Sequence, residues 1–246
     1  MHQEADFQEL DPVFGNPDLE LQRALQYTLG AEWQATPALK IDTTFFYKDL
    51  DSLVSSTGGS VERKGKSVPK VYDNGGRGRV YGAELFIKRS FANNFHGWLS
   101  YTLSRSERQD SGSNKTRLFD IDQTHILSIV GSYALPRNWE VGFRLRVGSG
   151  NPATPVTGSA FVDSSDSYTP IYGETNSSRL ATFYQADLRV DKSWIFDVWK
   201  LSAYLSLINA TNRKNVEGTE YNFDYSEKST TSGLPILPIL GVKADW

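Results

Sequence analysis

The chain has 246 residues, with 26 Lys and Arg against 29 Asp and Glu, a formal net charge of -3 and no cysteine. Disulfides and thiolate metal sites are therefore excluded, and the charge gives no general pull toward nucleic acid. Hydrophobic residues make up 39% of the chain, and no apolar run approaches the roughly 20 residues of a membrane helix. Strands that show lipid only alternate residues escape such a scan. Aromatics reach 13%, which suits interfacial girdles and carbohydrate-binding sandwiches alike.

Met1-His2-Gln3-Glu4-Ala5-Asp6 has neither a basic region nor an apolar run, so it is not a signal peptide. The expectation is that an upstream signal has been removed or that the chain is the C-terminal piece of a longer one. Period-2 alternation then recurs to the end. Leu25, Tyr27, Leu29, Ala31 and Trp33 alternate with polar residues or Gly, as do Leu39, Ile41, Thr43, Phe45 and Tyr47. Tyr81 to Ile87, Leu99 to Leu103, Leu127 to Tyr133 and Val141 to Val147 follow, then Tyr184 to Val190 and Leu201 to Leu207. The ninth segment carries Leu240, Val242, Ala244 and Trp246 on one face and Lys243 and Asp245 on the other. Each segment is about ten residues, the length that a tilted strand needs to cross the hydrocarbon layer. Only Asp18 to Leu29 can also be read as helical.

Connection lengths discriminate further. Gln34–Ala38, Ser90–Asn94, Pro136–Asn138 and Ile195–Trp199 are short, whereas Asp49–Gly78, Arg105–Asp122, Ser149–Phe183 and Asn212–Pro235 are long. Short and long alternate strictly, as the periplasmic turns and extracellular loops of a bacterial barrel do. The long loops are rich in Gly, Ser, Asn, Asp and Thr, which predicts mobile segments. The fold expected is all-β, an antiparallel up-and-down transmembrane β-barrel of about nine strands.

Several motifs resemble one family. The last residues resemble the C-terminal assembly signal of bacterial outer-membrane proteins at Gly241, Ala244 and Trp246, with Ile239 where that signal usually has a polar residue. Gly15-Asn16-Pro17-Asp18-Leu19 resembles the G-N-P-x-L segment of TonB-dependent receptors, and Phe46 to Val54 resembles their F-Y-K-x-L-x-x-L-V strand exit. Gly82-Ala83-Glu84-Leu85, Ser149 to Pro155 and Ile208 to Arg213 are similar to their G-x-E-L, S-G-x-P-y-T-P and N-x-t-N-r segments. The resemblance implies that residues 1–246 are the C-terminal segment of a larger barrel of about 22 strands, without its plug domain. It implies the bacterial outer membrane, with lipid, the barrel assembly machinery and the missing plug and upstream strands as partners, and TonB only through that plug. It also implies uptake of a scarce, large solute of the ferric siderophore, cobalamin or oligosaccharide class.

The residues themselves say less about sites. Glu84, Arg144, Arg146, Asp187, Arg189 and Asp191 are expected to face the lumen, as ion-pair ladders between strands. Phe161, Tyr168, Tyr172, Tyr221, Phe223 and Tyr225, all in long loops, are the ligand-contact candidates. His2, His96 and His125 have no second ligand at metal spacing, so no metal or cofactor is assigned. Asp120 and Asp122 beside His125 read as a loop cap before an acid–base pair, and no Gly-x-Ser-x-Gly elbow occurs. No catalytic residue is named and the chain is not read as an enzyme. Asn74 to Arg79 looks like an RGG-type nucleic-acid segment but reads better as a flexible rim loop, so no nucleic-acid partner is expected. Two alternatives stay open: a free-standing small porin or adhesin barrel, and a soluble β-sandwich that binds glycans.

Overall fold

A computed structural model describes residues 2–11, 15–57, 60–63, 66–69 and 71–246. Nine long strands form one antiparallel sheet in chain order: β1 (Gln22–Thr36), β2 (Leu39–Ser56), β3 (Tyr72–Ala92), β4 (Phe95–Gln109), β5 (His125–Leu135), β6 (Trp139–Gly148), β7 (Phe183–Ile195), β8 (Lys200–Ile208) and β9 (Leu237–Asp245). Two short pieces extend the sheet, His2–Gln3 on β1 and Thr116–Leu118 on β4. Among the described residues β9 pairs with β8 alone, so the sheet is open and its two outer strands do not meet.

Register decides which side chains share a face, because directly opposed residues of a pleated ladder point the same way. One row runs Trp33–Ile41–Ile87–Leu99–Ile129–Leu145–Ala186 across seven strands. Stepping by two along each strand puts Leu29, Phe45, Leu85, Tyr101, Phe143, Leu188, Leu205 and Leu240 on that same apolar face. Glu84, Arg144, Arg146, Asp187, Arg189 and Asp191 fall on the opposite, polar face. Phe143 lies over Gly131, its opposed residue on β5, and the ring fills the space a Gly131 side chain would need.

The burial pattern inverts that of a soluble domain. Val54 and Pro152 are the buried apolar side chains among the described residues, while Asn16, Ser55, Glu107, Asp122, Asn176, Asp187, Asn209 and Asn215 are buried. Leu29, Phe45, Leu188 and Leu240 stand exposed. Among the described residues no second layer packs on the sheet of nine long strands, and no helix is long and apolar enough to cross a membrane. The sandwich alternative needs two layers around an apolar interior, and this sheet has neither.

The short connections are tighter than the sequence suggested. Only Pro37–Ala38 and Asn93–Asn94 separate the first two pairs of strands. Asn93 and Asn94 both take positive φ (53° and 63°), the geometry of a tight hairpin whose twist matches its strands. Arg137 and Asn138 do the same between β5 and β6.

At the other end the expectation of long free loops needs correction. β2 continues to Ser56 and β3 begins at Tyr72, so most of residues 49–56 and 72–78 is ladder. β4 likewise runs to Gln109. The expected Ser149–Phe183 loop holds a ribbon of Val156–Val162 with Ser167–Tyr172, and a ribbon of Val216–Tyr221 with Lys228–Ser232 occupies residues 212–235. The glycine-rich segment Asn74 to Arg79 is strand rather than a flexible rim loop, with Arg77 paired to Asp51 and Arg79 to Glu107. The Asp18–Leu29 ambiguity resolves as strand from Gln22.

Candidate functional site: the latched long-loop end

The long loops are held by asparagine side chains that imitate one residue of a ladder. Asn215 Oδ1 accepts from the Tyr184 amide at 2.9 Å while its Nδ2 donates to the Tyr184 carbonyl at 2.9 Å. Asn74 treats Glu20 in the same way, at 2.7 and 3.0 Å, and also donates to the Ser52 carbonyl. Asn16 donates to the Tyr72 carbonyl at 3.0 Å and accepts from the Asp18 amide. A carboxamide offers a donor and an acceptor side by side, so it can satisfy both backbone groups of a residue outside the sheet.

Asn209 does this at the start of the β8–β9 loop. Its backbone turns at φ 51°, its Nδ2 donates to the carbonyls of Arg213 (2.9 Å) and Leu234 (3.0 Å), and its Oδ1 accepts from the Arg213 amide. The Asn209 amide itself donates to Asp187 Oδ1 at 2.8 Å. Asp187 also receives Arg144 across the β6–β7 pair, at 2.5 Å, and Gln185.

A second knot ties the β4–β5 loop to the β6–β7 loop. Asp122, with 1% of its side chain exposed, accepts from the Ser106 amide at 2.6 Å and pairs with Arg179, which also donates to the carbonyls of Asp122 and Gly150. Asn176 donates to the Leu118 carbonyl and to Asp120 at 2.8 and 2.6 Å. Beside it, Arg117 is the main influence holding the Asp110 carboxyl below the ordinary carboxylate range, with Arg108 assisting and burial opposing. Asp120 and Asp122 are thus bound into structural pairs. His125 Nδ1 is 2.8 Å from the Tyr101 hydroxyl on the apolar face.

The loop aromatics divide. Phe161 and Tyr168, on the two strands of one ribbon, meet edge-on at 5.2 Å. Phe223 comes from the next long loop and meets Tyr168 edge-on at 5.6 Å, where the Ser159 hydroxyl also donates to the Asp224 carbonyl. Tyr221 and Tyr225 form a separate pair at 5.9 Å. Tyr172 sits at the far end of its ribbon, opposite Val156, and shares no ring contact with the others. Phe161 and Phe223 remain 51% and 70% exposed, so the three-ring cluster is open to solvent.

Of the six charges expected to face the lumen, only Arg144 and Asp187 pair across strands, where ladders were expected; Lys40 pairs with Glu32 across β1 and β2 on the same face. Arg189 bonds Asp191 two residues along its own strand, at 2.7 Å through two nitrogens, and lies over the Tyr204 ring. Arg146 lies over the Phe183 ring, and Glu84 forms no ion pair among the described residues. Gly241 packs against the Tyr204 ring, which leaves no room for a β-carbon there, while Ala244 opposes Leu201. Trp246 follows the end of β9 and is exposed.

An open up-and-down sheet with one apolar face, polar burial and latched loops at one end defines part of a membrane-spanning β-barrel. Residues 5–228 match the family described as TonB dependent receptor-like, beta-barrel, and the chain belongs to that family. It is a family of outer-membrane barrels, which places the chain in the bacterial outer membrane. The sequence matches no curated protein.

Solved structures share the fold at low identity. The pyoverdine outer membrane receptor of Pseudomonas aeruginosa superposes with a TM-score of 0.69 at 15% identity, over 100% of this chain and 33% of that one. The ferric-catecholate import receptor Fiu of Escherichia coli gives 0.61 at 16%, over 98% and 29%. The copper transporter OprC gives 0.62 at 15%, over 99% and 35%. The chain thus spans about a third of the length of these proteins.

The Arg179–Asp122 pair yields a direct test. Removing Arg179 leaves a buried carboxylate without its cation, a change that costs roughly 3–5 kcal/mol in comparable settings. Arg179→Ala is expected to speed amide hydrogen exchange at Ser106, Thr124 and residues 150–153, with β8 and β9 unchanged. Uniform exchange across the sheet would show that the knot does not hold the loops.

Proposed function

We propose that the chain is the C-terminal part of a TonB-dependent uptake receptor, with its apolar face against lipid and its polar face lining the lumen. The observation that carries this reading is the missing apolar interior. Among the described residues no protein layer buries the surface made of Leu29, Phe45, Leu85, Phe143, Leu188, Leu205 and Leu240. A hydrocarbon solvent removes the need for one. Glu84, Arg144, Arg146, Asp187, Arg189 and Asp191 then face water in the barrel.

The open edges support assignment to a larger barrel. Unpaired amides and carbonyls on β1 and β9 would each cost several kcal/mol in lipid. Nine strands are also an odd number, whereas bacterial single-chain barrels have even ones. Further strands and a plug complete the receptor in this reading, and TonB acts through the plug.

The substrate end is the latched one, and the Phe161–Tyr168–Phe223 cluster is its contact surface for a large, ring-bearing or chelate solute. The ferric siderophore, cobalamin and oligosaccharide classes all suit exposed ring edges and faces. The proteins of similar fold include a pyoverdine receptor, a ferric-catecholate import receptor and a copper transporter.

Three outcomes test these statements. Arginine on the lipid face near mid-bilayer costs roughly 2–4 kcal/mol. Phe143→Arg is therefore expected to impair folding into lipid vesicles, scored by heat-modifiable migration, far more than Arg144→Ala. Equal effects would contradict the face assignment. The purified chain alone should give no discrete single-channel conductance in planar bilayers; stable unitary steps would favour the small-porin alternative. In the complete receptor, alanine at Phe161, Tyr168 and Phe223 together should reduce uptake of its cargo at least tenfold from a panel of ferric siderophores, cobalamin and maltooligosaccharides. Unchanged uptake at equal surface display would remove the cluster from the binding site.

A further inference from the structure

Between β5 and β9 the apolar face carries one basic side chain besides His125, and that is Lys192. It stands near the short-turn end of β7, opposed by Trp139 on β6 and Ala203 on β8. Its Nζ lies 5.4 Å from the Trp139 ring centre and 5.7 Å from that of Trp194, and it donates to the Arg137 carbonyl. An ammonium has three donors; among the described residues one is used and no carboxylate pairs with it. The carboxylates next to it in chain and register, Asp191 and Glu140, lie on the other face, and Asp191 is taken by Arg189.

A shallow groove of about 710 Å³ leads away from this ammonium along the apolar face, lined by Val190, Ala203, Leu205 and Val242. It exists because Ala203 opposes Lys192 on one side and Val242 on the other, so a methyl group lies between larger neighbours. The site therefore combines a cation with two spare donors, two indole rings of the kind that settle at the membrane–water boundary, and an apolar channel directed toward the bilayer centre.

We propose that this is a binding site for one anionic glycerophospholipid of the leaflet at the short-turn end. Its phosphate would sit on the Lys192 ammonium and one acyl chain along the groove. The unpaired positive charge selects the occupant: an anionic headgroup neutralises it, whereas a zwitterionic one brings an amine for which, among the described residues, no strand carboxylate beside Lys192 lies on this face. The proposal rests on the apolar face meeting lipid.

The test uses the complete receptor folded in a neutral detergent, with native mass spectrometry counting retained lipid after addition of phosphatidylglycerol or phosphatidylcholine. One phosphatidylglycerol per chain is expected, with at least a tenfold preference over phosphatidylcholine. Lys192→Gln should abolish the preference, Lys192→Arg should keep it, and Lys243→Gln, on the polar face, should leave it unchanged. Equal retention of the two lipids by the unaltered chain, or selective retention by Lys192→Gln, overturns the site. A chain that stays folded and monodisperse without detergent overturns the lipid-facing reading itself, so the two failures are distinguishable.

Discussion

Every backbone amide and carbonyl placed in hydrocarbon must find its partner within the protein, since water is not there to supply one. Most features of this chain follow from that requirement. It forces the nine long strands into one continuous ladder, and a continuous ladder fixes the face of every side chain. With pairing in register from Trp33 to Ala186, a one-residue slip in any strand would carry its leucines to the polar face and its charges into lipid. Where the chain leaves the ladder the requirement is met by side chains. Asn215, Asn74 and Asn209 each give one backbone residue the donor and acceptor that a neighbouring strand would have given.

This explains which part of the structure was legible in the sequence. Alternation of Leu, Phe and Tyr with polar residues is imposed wherever one face meets lipid and the other water, so the nine crossings could be read directly. Above the lipid both faces are wet and the pattern lapses. Asp49, Asp51 and the glycines at 75, 76 and 78 therefore looked like loop, although β2 and β3 stay paired there. The ribbons inside the long loops were hidden for the same reason, since neither of their faces has a fixed solvent.

The candidate site was legible only in its parts. Gly15-Asn16, Ser149-Gly150 and Asn209 could be matched to motifs, but their roles as clamps depend on partners far along the chain, such as Tyr72 for Asn16 and Leu234 for Asn209. Gly150 shows why one residue type is needed: a β-carbon there would lie 1.9 Å from the Leu180 carbonyl oxygen. The six loop aromatics could be named from composition and position. Only the crossing of two loops, fixed by Ser159 bonding to Asp224, brings Phe223 to Tyr168 and leaves Tyr172 aside.

Asp187 joins these levels. Its carboxylate takes a guanidinium from β6, a carboxamide from its own strand and the amide that begins the β8–β9 loop. The strand register, the polar-face charge pair and the anchor of that loop therefore meet on two oxygen atoms. The ribbon that carries Phe223 is rooted on this carboxylate through Asn209, and the ribbon that carries Phe161 and Tyr168 lies between β6 and β7, the strands that Arg144–Asp187 joins. A barrel wall held by a uniform ladder cannot by itself orient two ribbons that lie outside it. A charged group bonded to both strand and loop can, because its partners are fixed in number and direction. The Phe161–Tyr168–Phe223 rings are thus positioned from below, by a buried carboxylate on the polar face of the wall.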